Sequence, residues 1–190
     1  MPDFTDTVVL YEELAVQDVL PVLWRPAATR PDPQSLAGLS ERNYRILQAW
    51  DDLEDRGPVE MSDENSPIGM ELQRLDRKLT LLLDLVGQIL CVNQPRPLPV
   101  AVRFNALGAV WRLSQAPPEV GAPGTVEIYL RECVAQPLRF AGSATAVTSA
   151  GEFKVRFVPL EDAVASLIGK IAFRRHRRQI AGRLSPQRTP

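Results

Sequence analysis

One histidine and two cysteines serve 190 residues, and that scarcity removes much of the enzyme catalogue. His176 stands inside an arginine run, so a Ser-His-Asp or Cys-His arrangement would have to be built on it. Cys91 and Cys133 are far apart and have no CxxC partner. They read as reduced core thiols rather than a disulfide framework, and with a single histidine they fall short of an ordinary structural zinc site. Phosphate-binding loops are missing too: no GxGxxG occurs, and the position five before Gly169-Lys170 is Val164, so there is no GxxxxGK. Long hydrophobic runs are absent. The richest, Leu79 to Leu90, is interrupted by Asp84 and Gln88 and is well short of the roughly 20 residues that cross a bilayer. The opening MPDFTDT is acidic and is no secretory signal. These absences predict a soluble, cytoplasmic, non-catalytic protein with no metal and no cofactor.

What is present is ordinary globular material, 45% apolar and 24% charged, enough for a real core. The near-neutral total hides an uneven layout. Residues 1–66 hold 14 acids and 5 bases, residues 67–160 hold 7 and 10, and residues 161–190 hold 2 and 7. The last segment contains the basic cluster Arg174, Arg175, Arg177 and Arg178. Such a cluster can serve phosphate, nucleic acid or an acidic partner. It can also be a helix end whose positive charge suits the dipole and neutralises the acidic first third. The second reading is favoured, since no aromatics interleave with the arginines as single-strand binding requires. Trp24, Trp50 and Trp111 read as core. Glu12-Glu13 and Asp51-Asp52 are adjacent only in sequence and read as solvated faces.

The periodicity changes along the chain. Residues 7–24, TVVLYEELAVQDVLPVLW, have no helical spacing and read as one or two strands or an extended arm, followed by a proline-rich break to Pro33. Leu39-Ser40 reads as the staple and cap of a helix with Ile46, Leu47, Trp50 and Leu53 on one face, ending near Gly57-Pro58. Ser66-Pro67 is a second start, a cap followed by proline at the first helical position, and Gln94-Pro95 is its stop. From Leu98 the period is two: Val100 to Phe104, Val126 to Leu130, Leu138 to Ala146 and Phe153 to Phe157 each alternate as half-buried strands. Turn signals at Gly108, Pro123-Gly124 and Ala150-Gly151 suit an antiparallel barrel. A last helix from about Leu160 packs through Val164, Leu167, Ile168 and Ile171. The units are therefore an arm over 1–33 that could join the barrel, a helical extension over 34–94, a barrel domain over 95–184 and a tail over 185–190.

The second helix, about 66–93, carries Ile68, Leu72, Leu75, Leu79, Leu82, Val86 and Ile89 at alternating intervals of four and three. That is an a/d heptad seam, with Leu72, Leu79 and Val86 at a and the others at d. It points to an inter-subunit coiled coil, with an intramolecular core helix as the alternative. Leu83, Leu85 and Leu90 widen the stripe at e and g, which calls for three or four helices, or for one flank resting on the globular domain. Against a parallel arrangement, Glu71 at g would face Asp76 at e of a neighbour, a like-charge contact of only ~0.5 kcal/mol.

The stretches VRFNALGAVW, APGTVEIYLRE and PLRFAGSATAVTSAGEFKVRFVPL, then a helix with AFRRHRRQIAGRL, resemble a PilZ domain, the small bacterial barrel of cyclic di-GMP signalling, over about residues 95–184. In that family an RxxxR stretch supplies two guanidiniums for phosphate and guanine edges. A [D/N]xSxxG turn supplies an acceptor, a hydroxyl and a glycine for close approach. Here Arg96 and Arg103 are seven apart; Asn105 matches the second motif's first position, but Leu107 replaces the Ser and Val110 the Gly. Leucine donates nothing to a phosphate, and valine denies the freedom of glycine. With its heptad helix the chain resembles the helix-extended, tetrameric PilZ branch that lacks the ligand motifs. The resemblance implies an α+β fold, a PilZ-like antiparallel barrel of about six strands with a coiled-coil helix and a C-terminal helix. It also implies a homotetrameric signalling adaptor acting with another signalling or pilus-related protein in motility, pili or virulence, and not binding cyclic di-GMP itself. Two rival readings stand beside it: a cyclic di-GMP receptor with a divergent site around Arg96, Arg103 and Asn105, and a nucleic-acid binder through the arginine cluster.

Overall fold

Strands that bury one face and expose the other leave edges unpaired unless the sheet closes on itself, and here it closes. A computed structural model describes residues 14–54, 67–93, 96–113, 116–130, 136–148 and 151–184. Strands β1 (Val16–Pro26), β2 (Pro99–Phe104), β3 (Gly108–Arg112), β4 (Pro123–Ile128), β5 (Leu138–Val147) and β6 (Glu152–Phe157) form a closed antiparallel barrel in the order β1-β2-β3-β6-β5-β4. Helices α1 (Pro33–Glu54), α2 (Pro67–Asn93) and α3 (Asp162–Leu184) complete an α+β architecture. Residues 1–13 with Glu12-Glu13, the 55–66 segment with the cap Ser66, Cys133, the 185–190 tail and the side chain of Cys91 lie outside the described residues.

Closure depends on the length of β1. Val16–Pro21 pairs with β2, and Val22–Pro26 then pairs with β4, so this N-terminal strand joins the barrel of its own chain. The alternating positions point inward as their period requires: Phe104, Val126, Ile128, Leu138, Phe140, Phe153 and Val155 are all buried. Trp111 and Trp24 meet the ring of Phe153 edge-on, with centroids 4.9 Å and 5.5 Å away. Gly108 is the first residue of β3 rather than a turn residue. Its missing side chain admits a neighbouring strand, for a Cβ there would stand 2.2 Å from the Val155 carbonyl oxygen.

Helix α1 starts six residues before the expected Leu39-Ser40. Asp32 is the cap: its Oδ1 accepts the Ser35 N–H at 2.8 Å, its Oδ2 accepts the Ser35 hydroxyl at 2.9 Å, and Pro33 takes the first helical position. Ser40 therefore lies inside the helix. Ile46, Leu47 and Trp50 of α1 and Val164, Ile168 and Ile171 of α3 are buried in one cluster with the barrel. Helices α1 and α3 pack on one another, α1 on β5 and α3 on β1, whereas among the described residues α2 packs extensively on no other element.

Candidate functional site

Among the described residues, the exposed apolar face of α2 is the largest anomaly in the fold. Every seam residue of α2 is exposed, from Leu72 at 48% to Ile68 at 74%. The stripe from Ile68 to Ile89 is about 32 Å long at 1.5 Å per residue. Exposed apolar surface on this scale makes α2 the candidate interaction face. Leu85 at g is also exposed, and the side chains of Leu83 and Leu90 lie outside the described residues. Leu81, at c, is 59% exposed and extends the stripe beyond the e and g flanks anticipated from the heptad.

The ligand-motif positions do not converge. The Asn105 Oδ1 accepts the N–H groups of Leu107 at 2.9 Å and Gly108 at 3.2 Å, and the Asn105 N–H donates to the Gly108 carbonyl at 3.0 Å. The side chain that matches the motif thus closes the β2–β3 turn. Leu107 is exposed, and its carbonyl accepts the Phe157 N–H. Arg103 and Val110 are cross-strand partners on β2 and β3, beside a depression of about 430 Å³ that also meets Gln17, Arg112 and Glu152. Arg96 lies before the start of β2, its guanidinium 5.3 Å from the centroid of the Tyr129 ring. Arg103 and Val110 are therefore neighbours, while Arg96 and Asn105 stand beyond opposite ends of β2.

Half of the basic cluster turns inward. The Arg174 guanidinium reaches Asp51 at 2.9 Å, with Lys170 on the same carboxylate at 3.0 Å, and Arg175 reaches Asp18 at 2.6 Å. Arg175 also lies over the Trp50 ring, 4.5 Å from its centroid. The solvated-face reading of Asp51 is corrected by this arrangement, since Asp51 is buried between α1 and α3 with two cations on it; Asp52 is exposed. Arg177 and Arg178 are exposed, Arg177 over Phe173. Trp50 and Trp111 are buried, and Trp24 is half-buried.

Two polar centres escaped the sequence reading. Glu127, only 2% exposed, accepts from the Nε of Arg25 and of Arg139 at 2.9 Å each and from the Tyr129 hydroxyl at 3.2 Å. That carboxylate raises the Arg25 pKa, while burial first, and then Glu127, raises that of Tyr129. Lys154 on β6 is buried as well, and desolvation pulls its pKa down against the opposing pull of Glu152. Alternation places both on the polar face of their strands but gives no sign that neighbours cover that face. The one signal present was compositional: arginines at 25 and 139 on the strands flanking Glu127.

A small closed barrel with an added heptad helix and helices packed on its wall defines a PilZ-type protein, and the comparisons agree. The model of the family named "Atypical PilZ domain, cyclic di-GMP receptor" matches residues 47–184, and the chain belongs to that family. A crystal structure of a pathogenic protein from Xanthomonas campestris, presented as a new tetrameric PilZ domain self-assembled via an unusual helical bundle, has the same fold. Its TM-score is 0.70 at 22% identity, covering 95% of this chain and 99% of that one. No curated protein matches the chain. Among the described residues, no helix is long and apolar enough to cross a membrane.

Proposed function

We propose that this protein is a non-catalytic, cytoplasmic, homotetrameric adaptor in a bacterial cyclic di-GMP pathway, built on α2 and acting through another signalling or pilus-related protein. The single observation that carries the reading is the exposure of the seam Ile68, Leu72, Leu75, Leu79, Leu82, Val86 and Ile89 on a helix that, among the described residues, packs extensively on no other element. Membership of a signalling-domain family supports the adaptor role, and the tetrameric description of the Xanthomonas protein supports four helices over three. Involvement in motility, pili or virulence follows from the family resemblance. Binding of cyclic di-GMP through the motif positions is disfavoured, because Asn105 is engaged by the backbone and Leu107 and Val110 offer neither hydroxyl nor glycine.

The second reading, a receptor with a divergent site, draws on the family's own description as a cyclic di-GMP receptor and on Arg103 beside an open depression. Light scattering decides the assembly. The expected mass is near four times 21.1 kDa. Leu75→Asp with Leu82→Asp should reduce it to that of one chain with the barrel still folded, since a buried charge without a partner costs several kcal/mol. A monomeric wild type would remove the adaptor model's foundation.

A further inference from the structure

The apolar stripe of α2 is not equally wide along its length. Toward the N-terminus its flanks are polar, with Glu71 and Lys78 at g and Arg74 at c; toward the C-terminus Leu81 takes c and Leu85 takes g, at 59% and 46% exposure. A helical bundle buries a, d and one adjoining flank, and leaves c outside. Something other than the bundle must therefore cover the second flank, and only in the half of the helix that leads into the barrel.

An apolar groove lies at that same end. Where β1 finishes, β2 begins and β3 finishes, a cavity of about 650 Å³ is lined by Trp24, Leu98, Val100, Trp111 and Leu113 among prolines. Leu98 on its rim is 85% exposed, and only a few residues separate it from the end of α2 at Asn93. Among the described residues, α2 does not pack extensively on β1, β2 or β3, the strands that frame the groove. Both flank and groove are apolar, and the end of α2 and the rim of the groove at Leu98 are five residues apart in the sequence.

We infer that the groove receives the Leu81–Leu85 flank of α2 from a second copy of this chain, so that each barrel is clamped to a neighbour's helix and not merely tethered to its own. The inference rests on the oligomer proposed above and adds an orientation to it. A neighbour's C-terminal half reaches this groove only if the helices run parallel. In an antiparallel bundle it would lie at the far end of a helix about 40 Å long at 1.5 Å per residue. The like-charge contact that opposed the parallel arrangement is softened within the helix, where Arg74 pairs with Glu71 at 3.6 Å.

The test mixes two differently tagged chains, both carrying Cys91→Ser and Cys133→Ser, one with Leu85→Cys and the other with Leu98→Cys. Light scattering is run on each sample before oxidation. The expected result is a tetrameric mass and a mixed disulfide dimer, with no such dimer when Met70→Cys, near the helix start, replaces Leu85→Cys. A tetramer that cross-links 70 to 98, or neither pair, overturns the groove contact and leaves the assembly intact. A monomeric mass overturns both readings. Should the cysteine-free background fail to fold, benzoylphenylalanine at position 98 of the native chain replaces it. Its photo-adduct should map to residues 81–89 of a differently labelled chain, and an adduct confined to its own chain would count against the contact.

Discussion

Asn105 shows how one letter of a motif can persist while its chemistry changes. Its Oδ1 holds the N–H groups of Leu107 and Gly108 inside a buried turn, so Asn105→Ala should destabilise the barrel by about 1–2 kcal/mol, the cost of leaving buried donors unmatched. Calorimetric titration with cyclic di-GMP should show no saturable binding at micromolar protein; tight binding lost in Arg96→Ala or Asn105→Ala would restore the receptor reading. Lys154 makes a prediction of the opposite sign. Burial holds its pKa below the ordinary lysine value, so the unfolded chain binds the proton more tightly, and the charged form weakens the fold at neutral pH. Stability from this group should rise as pH climbs through the folded pKa toward the unfolded one. Lys154→Met should therefore raise the urea midpoint at pH 7, with the difference shrinking in alkali. An unchanged or lowered midpoint would mean that the lysine's own contacts outweigh its desolvation. Neither Lys154 nor Glu127 was legible as buried, because a period of two assigns a side chain to a face without saying what crosses that face.

Elements were legible where one interaction dominates. The heptad seam and the Pro67 start announced α2, and alternation announced β2, β4, β5 and β6, since the physics that forms these elements is local and periodic. The start of α1 was misplaced because Leu39-Ser40 resembles a staple and cap, whereas Asp32-Pro33 supplies both the carboxylate and the proline that a first turn uses. The candidate seam stands out in the sequence as a pattern, whereas the groove becomes visible only when the barrel places Trp24, Leu98 and Trp111 side by side. The cap is testable by pH. Hydrogen bonds from Ser35, its backbone N–H first, hold the Asp32 carboxyl below its ordinary pKa. Its contribution is complete above the ordinary carboxylate range and is lost as pH falls through the folded pKa. Circular dichroism on Asp32→Ala should show less helix at pH 7 and a smaller loss on acidification than the native chain. Gly124→Ala tests the β1–β4 seam, where a Cβ would sit 2.3 Å from the Trp24 ring. Overpacking of this kind should cost about 1–3 kcal/mol.

Across the whole molecule, the charge imbalance of the sequence becomes an internal attraction. The acidic first third, net −9 over residues 1–66, meets the basic last helix where Asp18 receives Arg175 and Asp51 receives Lys170 and Arg174. These contacts join β1 and α1 to α3, so the first strand and first helix are held to the last helix by charge as well as by the apolar cluster around Trp50 and Ile168. Arginines engaged in this way are poorly placed to grip a nucleic-acid backbone. A nucleic-acid site would show affinity for generic DNA or RNA that falls steeply with salt, with a log-log slope of about −0.7 to −0.9 for each phosphate contacted. The expectation here is the contrary: no salt-dependent gel shift, and instead a loss of stability when the pairs are cut. Arg174→Ala with Arg175→Ala removes two partly exposed ion pairs and the guanidinium over Trp50. Lys170 stays on Asp51, and the cost should be about 1–2 kcal/mol. Urea unfolding at low and at high salt separates the contributions, because the ion-pair share should shrink with added salt while the stacking on Trp50 persists. A steep gel shift abolished by the same double substitution would instead make nucleic acid the partner and the Asp18 and Asp51 contacts its resting-state competitors.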